Sequence, residues 1–503
     1  MTSNNKLHGW NGKLLSVDLS VRRIKDLPID KAVLKAYLGG RGLNMWLMHQ
    51  NLAPSTRPFD PENLLIFGSG PLVGTTIPAN GRYNVSSRSP LTGLLGDSNC
   101  AGFWAPALRK AGYDGIVVSG RADSPVYLVI TNERTEIRDA AFLWGKTVSQ
   151  TDSILREAHG AEAQVLGIGP AGEKKVRFAA ILNNIDRAAG RTGNGAVMGS
   201  KLLKAIVVKS TGKVSVAASA AVRSVAKEIR SEMRSSPSFE VRSQYGTPML
   251  VQLYNTMGVL PTHNHQKNTF AGADRISGER LKNDYVSRPE SCFMCPVHCS
   301  RRSQVSSGRF AGVSTEGPEF ETMCAMGSNL GNDDLESLIY LNRRLNDLGL
   351  DSISTGAVIG YAMECYQRGL IGHRETDGLD LTWGNLDAIL EMVERIAARR
   401  GLGDLLAEGA QRASRRIKDS EPYALHIKGL EVPTQGVRGL KAWALGWAVA
   451  SRGGAIIAGP FRSWRPPGRP RKPSIFSAAK KRLIVLPMTA RPRWSSGPRI
   501  TAR

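Results

Sequence analysis

Cysteine is scarce in this chain, six residues in 503, and three of the six fall within eight positions, so a disulfide framework is excluded. The N-terminal residues 1–13 lack the apolar core of a secretory signal, and Arg22-Arg23 is followed by Ile-Lys-Asp rather than a hydrophobic run. No stretch approaches the roughly 18 uninterrupted apolar residues of a membrane span; residues 442–450 come nearest and are half that length. A cytoplasmic protein without membrane segments is therefore expected. Acid is missing altogether from residues 455–503, which carry twelve Lys or Arg and eight Pro. Half of the formal charge of +24 lies in that short segment, so the charge marks a boundary before it marks a partner.

What is present is Gly, at 53 residues, beside an ordinary 41% of apolar residues. This composition excludes a disordered protein, a collagen and a disulfide miniprotein. The length exceeds what one hydrophobic core serves and implies two or three domains. Up to about residue 210 short β-like runs alternate with Gly, Pro and Asn: Lys13 to Leu19, Leu64 to Phe67, Gly115 to Ser119, Val126 to Thr131, Gln164 to Ile168 and Lys204 to Lys209. Beyond it the apolar period becomes helical, as in Leu335, Leu338, Ile339, Leu345, Leu348 and in Leu386, Ile389, Leu390, Val393, Ile396, with Gly401 as a stop. The expected fold is α+β: a β-rich N-terminal domain over 1–210, helical domains over 211–454, and a disordered basic tail over 455–503.

Two Gly-rich segments raise the question of phosphate binding. Leu64 to Gly70 reads as a strand entering a Gly turn, but Pro71 follows at once and no acid occurs before Asp97, which argues against a dinucleotide fingerprint. Gly190 to Gly195 has the wrong order of glycines for that fingerprint, and reads as a tight turn or as a loop of backbone donors near a phosphate. The strongest local signal is Cys292-Phe293-Met294-Cys295-Pro296-Val297-His298-Cys299. The C-x2-C-x3-C spacing lets three thiolates converge on an iron–sulfur cluster, or on zinc with His298 or a remote Cys as fourth ligand. Cys100, Cys324 and Cys365 sit in apolar surroundings and read as core.

Several segments in order resemble the tungsten-containing aldehyde:ferredoxin oxidoreductase family, from about Gly9 to Arg452. They are Gly39-Gly40-Arg41-Gly42-Leu43, Gly81-Arg82-Tyr83, Ser89-Pro90-Leu91-Thr92-Gly93, Gly96-Asp97-Ser98-Asn99, Arg187-Ala188-Ala189-Gly190-Arg191, the cysteine cluster, Gly317-Pro318-Glu319-Phe320-Glu321, Gly349-Leu350-Asp351 and Gly403-Asp404-Leu405-Leu406. The resemblance implies an N-terminal β domain that carries a bis-pterin tungsten cofactor (molybdenum is equally compatible), helical domains above it, a 4Fe-4S cluster on Cys292, Cys295 and Cys299, and magnesium between the pterin phosphates. It implies cofactor contacts at Arg82, Asn99, Ala101, Arg187, Ala188, Asn346, Leu350 and Asp351, with carbonyl oxygens of Asn99 and Ala188 toward magnesium. The family pattern Asp-x-x-Gly-Leu-Asp appears here as Asn346-Asp347-Leu348-Gly349-Leu350-Asp351, so the first position keeps an acceptor and loses its charge.

The activity implied is oxidation of a small aldehyde to a carboxylic acid, with electrons passing to ferredoxin or a related electron-transfer subunit. Glu319 is the expected proton acceptor, against a plain role as a helix N-terminal acid, and His426 is a second catalytic candidate. A homodimer is compatible. A benzoyl-CoA-reductase-like tungsten enzyme shares the framework. A zinc or iron–sulfur module using the basic tail on nucleic acid is the rival from another class, but Trp464 and Trp494 do not form a regular stacking pattern, so nucleic acid is not an expected partner.

After Ser451-Arg452-Gly453-Gly454 the family pattern of Asp-His-x-Arg-Ala stops. If Ala455 to Pro460 is encoded GCG ATC ATT GCA GGG CCN, the neighbouring frame reads Asp-His-Cys-Arg-Ala. A one-nucleotide frameshift near Gly454 is therefore expected. It removes a fourth thiolate, a second pterin motif and a catalytic His, and leaves this polypeptide inactive and poorly soluble, with the apolar face at Trp443 to Val449 uncovered.

Overall fold

A computed structural model of the chain describes residues 7–454; the 455–503 tail lies outside the described residues. Twelve strands build the N-terminal part: β1 (Lys13–Asp18), β2 (Arg23–Pro28), β3 (Leu65–Ser69), β4 (Tyr83–Arg88), β5 (Leu95–Cys100), β6 (Gly115–Ser119), β7 (Val126–Ile130), β8 (Thr135–Asp139), β9 (Gln164–Gly167), β10 (Ile181–Asn183), β11 (Arg187–Ala189) and β12 (Leu203–Val208). They form two six-stranded mixed sheets, in the orders β2-β1-β6-β3-β4-β5 and β11-β10-β9-β12-β7-β8.

Alternation along the strands explains why these sheets stack. One face of the first sheet (Leu15, Val17, Phe67, Val85, Ile116) shares a core with one face of the second (Leu128, Leu166, Ile206, Val208), sealed by Trp104. The opposite residues, Leu14, Ile66 and Val117, bury under the helix Gly40–Asn51 through Leu43 and Leu47, and Tyr127, Val129, Val165 and Val207 bury under Leu155. Both sheets are thus covered on both faces, and each fully buried aliphatic or aromatic side chain contributes roughly 1.5–3 kcal/mol.

The second part holds one large apolar core. The helix Leu335–Leu348 starts where Asp334 accepts from the Glu336 and Ser337 amides and ends at Gly349 in the left-handed region, φ 75°. Its periodic residues Leu335, Leu338, Ile339, Leu345 and Leu348 are all buried. Asp351 then accepts from the Ile353 amide and opens the helix Ser352–Gln367. The helix Leu386–Ala398 stops at Arg399, itself left-handed at φ 54°, and not at Gly401 as expected. A three-stranded antiparallel sheet, β13 (Val286–Glu290), β14 (Ser300–Gln304) and β15 (Ser314–Glu316), interrupts the helical region and holds the cysteine cluster in its first loop. A short hairpin of β16 (His426–Ile427) and β17 (Leu430–Glu431) and the helix Lys441–Val449 follow. That last helix buries Trp447 but leaves Leu445 and Val449 about two-thirds exposed, at 66% and 67%.

Candidate functional site

The cysteine loop is a tight excursion between β13 and β14. Met294 and His298 take left-handed φ values of 54° and 50°, and the Cys295 amide closes a turn onto the Cys292 carbonyl at 3.0 Å. The loop rests on the N-terminal domain: the Phe293 amide donates to the Gly102 carbonyl at 3.4 Å, and the Ala79 amide donates to the Met294 carbonyl at 3.2 Å. Glycine is needed underneath, because a Cβ at Gly81 collides with the Gly102 carbonyl oxygen and presses on the Phe293 Cβ at 3.1 Å. All three thiols are free and partly buried. Burial pushes the Cys299 thiol up to about 11, helped by the Glu319, Cys292 and Cys295 charges. Burial also raises Cys292, against the pull of Arg187. Cys299 thus feels both of its neighbours, a situation a soft metal resolves by displacing the protons.

Among the described residues no group of three or more His, Cys, Asp or Glu side chains is arranged around a metal position. The donor chemistry of Cys292, Cys295 and Cys299 nonetheless fits an iron–sulfur cluster, and Arg187 supplies the N–H donor such sulfurs accept: its Nη1 lies 2.7 Å from the Cys292 Sγ and its Nη2 3.1 Å from the Ser291 carbonyl. Arg187 is also paired with Glu316 at 2.6 Å, both side chains about one-tenth exposed.

The other expected cofactor residues gather on the same side. Arg82 donates to the Asn99 Oδ1 at 2.8 Å, β5 lies against β11, and Ala188 is exposed next to Arg187. Asn183 sits beneath them, donating to Tyr83, Cys100 and the Ala101 carbonyl at 3.0–3.2 Å. The segment 349–351 pairs with this domain. Leu350 bridges Ala179, and the Ala180 amide donates to the Gly349 carbonyl at 2.8 Å. Gly349 is required by this approach, since a Cβ there lies 2.7 Å from the Gly169 nitrogen. Asn346 donates to Asp186 at 3.4 Å, where an Asp would face a carboxylate already held by Arg302 and Thr315.

Glu319 occupies the N-cap of the helix Phe320–Met326 without capping it. Its carboxylate accepts from the Thr247 hydroxyl and lies 3.6 Å from Arg301, whose buried guanidinium also donates to the Cys299 carbonyl. Glu319 is thus tied to the cysteine loop. His426 is not: its Nδ1 accepts from the Gly429 amide at 3.3 Å and closes the β16–β17 turn, and Arg415 and Glu421 are the charges that reach it. The contacts of its ring are those of its own hairpin.

Sequence reasoning missed a polar junction between the two parts. Arg41 pairs with Asp97 at 2.8 Å and donates to Ser451 at 3.1 Å; Arg191 donates to the Glu431 and Gly454 carbonyls; Arg452 donates to the Asp97 carbonyl. Burial lowers Arg452 to about 10. Arg191 Nη1 and Asp351 Oδ2 stand 3.4 Å apart, too poorly aligned to hydrogen-bond, and Arg191 Nε is also unpartnered. Buried orphan donors and acceptors beside Asp351 fit a polar heterocycle such as a pterin. Arg41, Asp97 and Arg191 all lie inside segments that carry the family resemblance, which is the signal that could have found them.

Comparison with known proteins decides between the readings. A family profile described as the N-terminal domain of aldehyde ferredoxin oxidoreductase matches residues 14–210, and one for domains 2 and 3 matches residues 224–493. The chain belongs to the aldehyde ferredoxin oxidoreductase family. A tungsten-containing aldehyde ferredoxin oxidoreductase of Pyrococcus horikoshii is 41% identical over 487 residues, covering 95% of this chain and 79% of that protein. An aliphatic sulfonate oxidoreductase WOR-like subunit of Pyrococcus furiosus is 34% identical over 474 residues, with 89% and 75% covered. Among solved structures, the active site complex BamBC of benzoyl coenzyme A reductase superposes with a TM-score of 0.75 at 29% identity, covering 85% of this chain and 66% of that one. This member of the aldehyde ferredoxin oxidoreductase family matches its profile through residue 493, past Gly454, although the quoted motifs end there. Among the described residues no helix is long and apolar enough to cross a membrane.

Proposed function

We propose that the chain is a tungstopterin and iron–sulfur oxidoreductase that converts an aldehyde to a carboxylic acid and passes the electrons to ferredoxin in the cytoplasm. The observation that carries this reading is the hydrogen bond from Arg187 to Cys292, which joins the Gly-rich β domain directly to the cysteine loop. In this reading Cys292, Cys295 and Cys299 hold the cluster. Arg82 and Arg187 neutralise pterin phosphates, Asn99 and Ala188 turn carbonyl oxygens to magnesium, and Ala101, Asn346, Leu350 and Asp351 contact the pterins. The bound tungsten cofactor supplies acceptance of two electrons.

The protein positions the substrate side. As the aldehyde carbon gains an oxygen from water, two protons and two electrons leave, and Glu319 takes up the first proton. Thr247 and Arg301 fix its carboxylate beside the cysteine loop. The division at about residues 210 and 454 into a cofactor domain, cluster-bearing helical domains and an out-of-frame tail is part of the same proposal. Reading the genomic DNA across codons 450–460 tests the last point; an alternative frame without a family-like continuation refutes it. The activity is tested by aldehyde-dependent dye reduction after expression, with tungsten and iron, of the protein with the neighbouring frame restored after Gly454. The structural likeness to BamBC favours a second reading, electron delivery to an aromatic thioester; oxidation of a reduced dye that depends on benzoyl-CoA, with no aldehyde activity, selects it.

A further inference from the structure

Near residue 410 the helical region carries a basic hollow that the oxidoreductase reading does not use. The short helices Leu402–Leu406 and Ala410–Ser414 flank it. Its volume is about 690 Å³, and Asp404, Leu405, Glu408, Arg412, Arg415 and Arg416 form its wall. None of the residues assigned to the cofactors lies in that wall.

The two acids of the wall are already taken by cations from outside it. Glu408 accepts from Arg177 and from Arg399, the latter at 2.8 Å, and Arg399 also holds Asp404 at 2.7 Å. The arginines of the wall are left without a carboxylate of their own. Arg412 turns its donors to carbonyl oxygens instead, to Leu91 at 2.7 Å and Glu408 at 3.4 Å. Arg415 and Arg416 are exposed and make no hydrogen bond or ion pair among the described residues. Burial lowers the Arg412 guanidinium, and the Arg177 and Arg415 charges lower it further against Glu408 and Glu431. Lost solvent and like charge both disfavour the cation, so an anion in the hollow relieves a real imbalance.

The wall is also held in place. Arg177 donates to the Pro90 carbonyl at 2.9 Å, so it and Arg412 are anchored on neighbouring carbonyls of one loop, residues 89–93. The Ala410 amide donates to Glu431 Oε1 at 2.9 Å and fixes the start of the second helix. Leu405 supplies an apolar side to the hollow.

We infer that this hollow binds a small organic oligophosphate, with Arg412, Arg415 and Arg416 on the phosphates and Leu405 against the organic part. Guanidiniums fork onto phosphate oxygens, and several fixed positive charges favour an anion of several charges over a monoanion. A volume of this size admits a ligand as large as a nucleotide and exceeds the need of a single phosphate. The inference does not rest on the oxidoreductase reading; it adds a second ligand to the molecule.

Binding is measured by titration calorimetry at low salt on the full chain, as given and with the neighbouring frame restored after Gly454, since residues 401–416 are common to both. The probes are ATP and inorganic tripolyphosphate, and saturable binding of ATP at one site per chain is expected. Tripolyphosphate bound as tightly as ATP assigns recognition to the phosphates alone; weaker binding adds a contact with the nucleoside. Arg415→Glu/Arg416→Glu is expected to weaken binding at least about tenfold, the worth of one charge-assisted hydrogen bond, and the effect is expected to shrink as salt screens it. Arg223→Glu/Lys227→Glu, on the helix Ser219–Arg234, makes the same change of charge at exposed positions and is expected to leave Kd unchanged. An unchanged circular dichroism spectrum shows that each variant is folded. No saturable binding of either probe, equal loss with the two pairs, or no loss with Arg415→Glu/Arg416→Glu overturns the inference. So does a single-stranded RNA oligomer that binds more tightly than both probes and is released by the same substitutions.

Discussion

Replacing Arg187 by Met is the most demanding single perturbation of the site. The guanidinium and Glu316 lie 2.6 Å apart with side chains 11% and 9% exposed, so neither charge is well solvated. Burial raises the Glu316 carboxyl, and Arg187 is the first opposing influence. Removing only the cation leaves a buried carboxylate unpaired, which costs about 3–5 kcal/mol, and the bonds to Cys292 and Ser291 are lost as well. For a domain of some 200 residues a loss of 1 kcal/mol lowers Tm by roughly 2–4 °C, so Arg187→Met should lower the first unfolding transition by roughly 6–20 °C. The double variant Arg187→Met/Glu316→Leu removes both charges and should recover much of that loss. Differential scanning calorimetry of wild type, the two single variants and the double variant measures this. Equal stability of wild type and Arg187→Met, or a double variant no better than the single one, refutes the account of this pair.

Gly349→Ala forces a left-handed φ on Ala and pushes a Cβ to 2.7 Å from the Gly169 nitrogen. A loss of at least about 1 kcal/mol in chemical denaturation is expected; a neutral effect contradicts the required close approach. Glu431 is fully buried and its carboxyl is raised, chiefly by burial, against bonds from the Ala410 amide and the Ser354 hydroxyl and the charge of Arg191. A raised acid holds its proton longer in the native state, so its contribution falls as pH rises from about 4.3 through the folded pKa. Glu431→Gln should flatten that part of the stability–pH curve, and an unchanged slope counts against it. Glu319→Gln should lower kcat of the loaded enzyme by about 10²–10⁴-fold, whereas His426→Ala should cost about 0.5–1.5 kcal/mol of stability, the worth of one hydrogen bond, and leave kcat within a small factor. The reverse pattern in steady-state kinetics exchanges their roles.

The strands that sequence patterning identifies are the apolar ones. Leu65–Ser69, Val126–Ile130 and Leu203–Val208 are buried at every position and read as β from composition alone. Tyr83–Arg88 and Leu95–Cys100 escape notice because they are rich in Asn, Ser, Asp and Gly. Most of their residues are buried all the same, since Asn44, Asn84, Ser86 and Asp97 satisfy one another across the sheet. Polar networks of this kind have no hydrophobic period to detect. The three-stranded sheet around the cysteines is equally silent, because β13 is mostly exposed and has one apolar side chain, Val286, besides Pro289. At the site, local spacing is enough to find the three cysteines, and the caps at Asp334 and Gly349 are legible one residue at a time. The junction of Arg41, Arg191 and Arg452 with Asp97 and Asp351 is a property of packing between residues far apart in the chain. His426 shows the converse: a His in a short β context invites a chemical role, but its ring closes the turn of its own hairpin.

The central claim is that this framework holds tungstopterin beside an iron–sulfur cluster. It is tested most directly by elemental analysis of protein expressed with tungsten and iron, as the given chain and with the neighbouring reading frame restored after Gly454, alongside aldehyde-dependent reduction of a viologen dye. The account predicts tungsten, iron and activity in the restored-frame protein, and their loss or reduction in the given chain. Zinc as the sole metal in both proteins, with no aldehyde-dependent reduction in either, contradicts it.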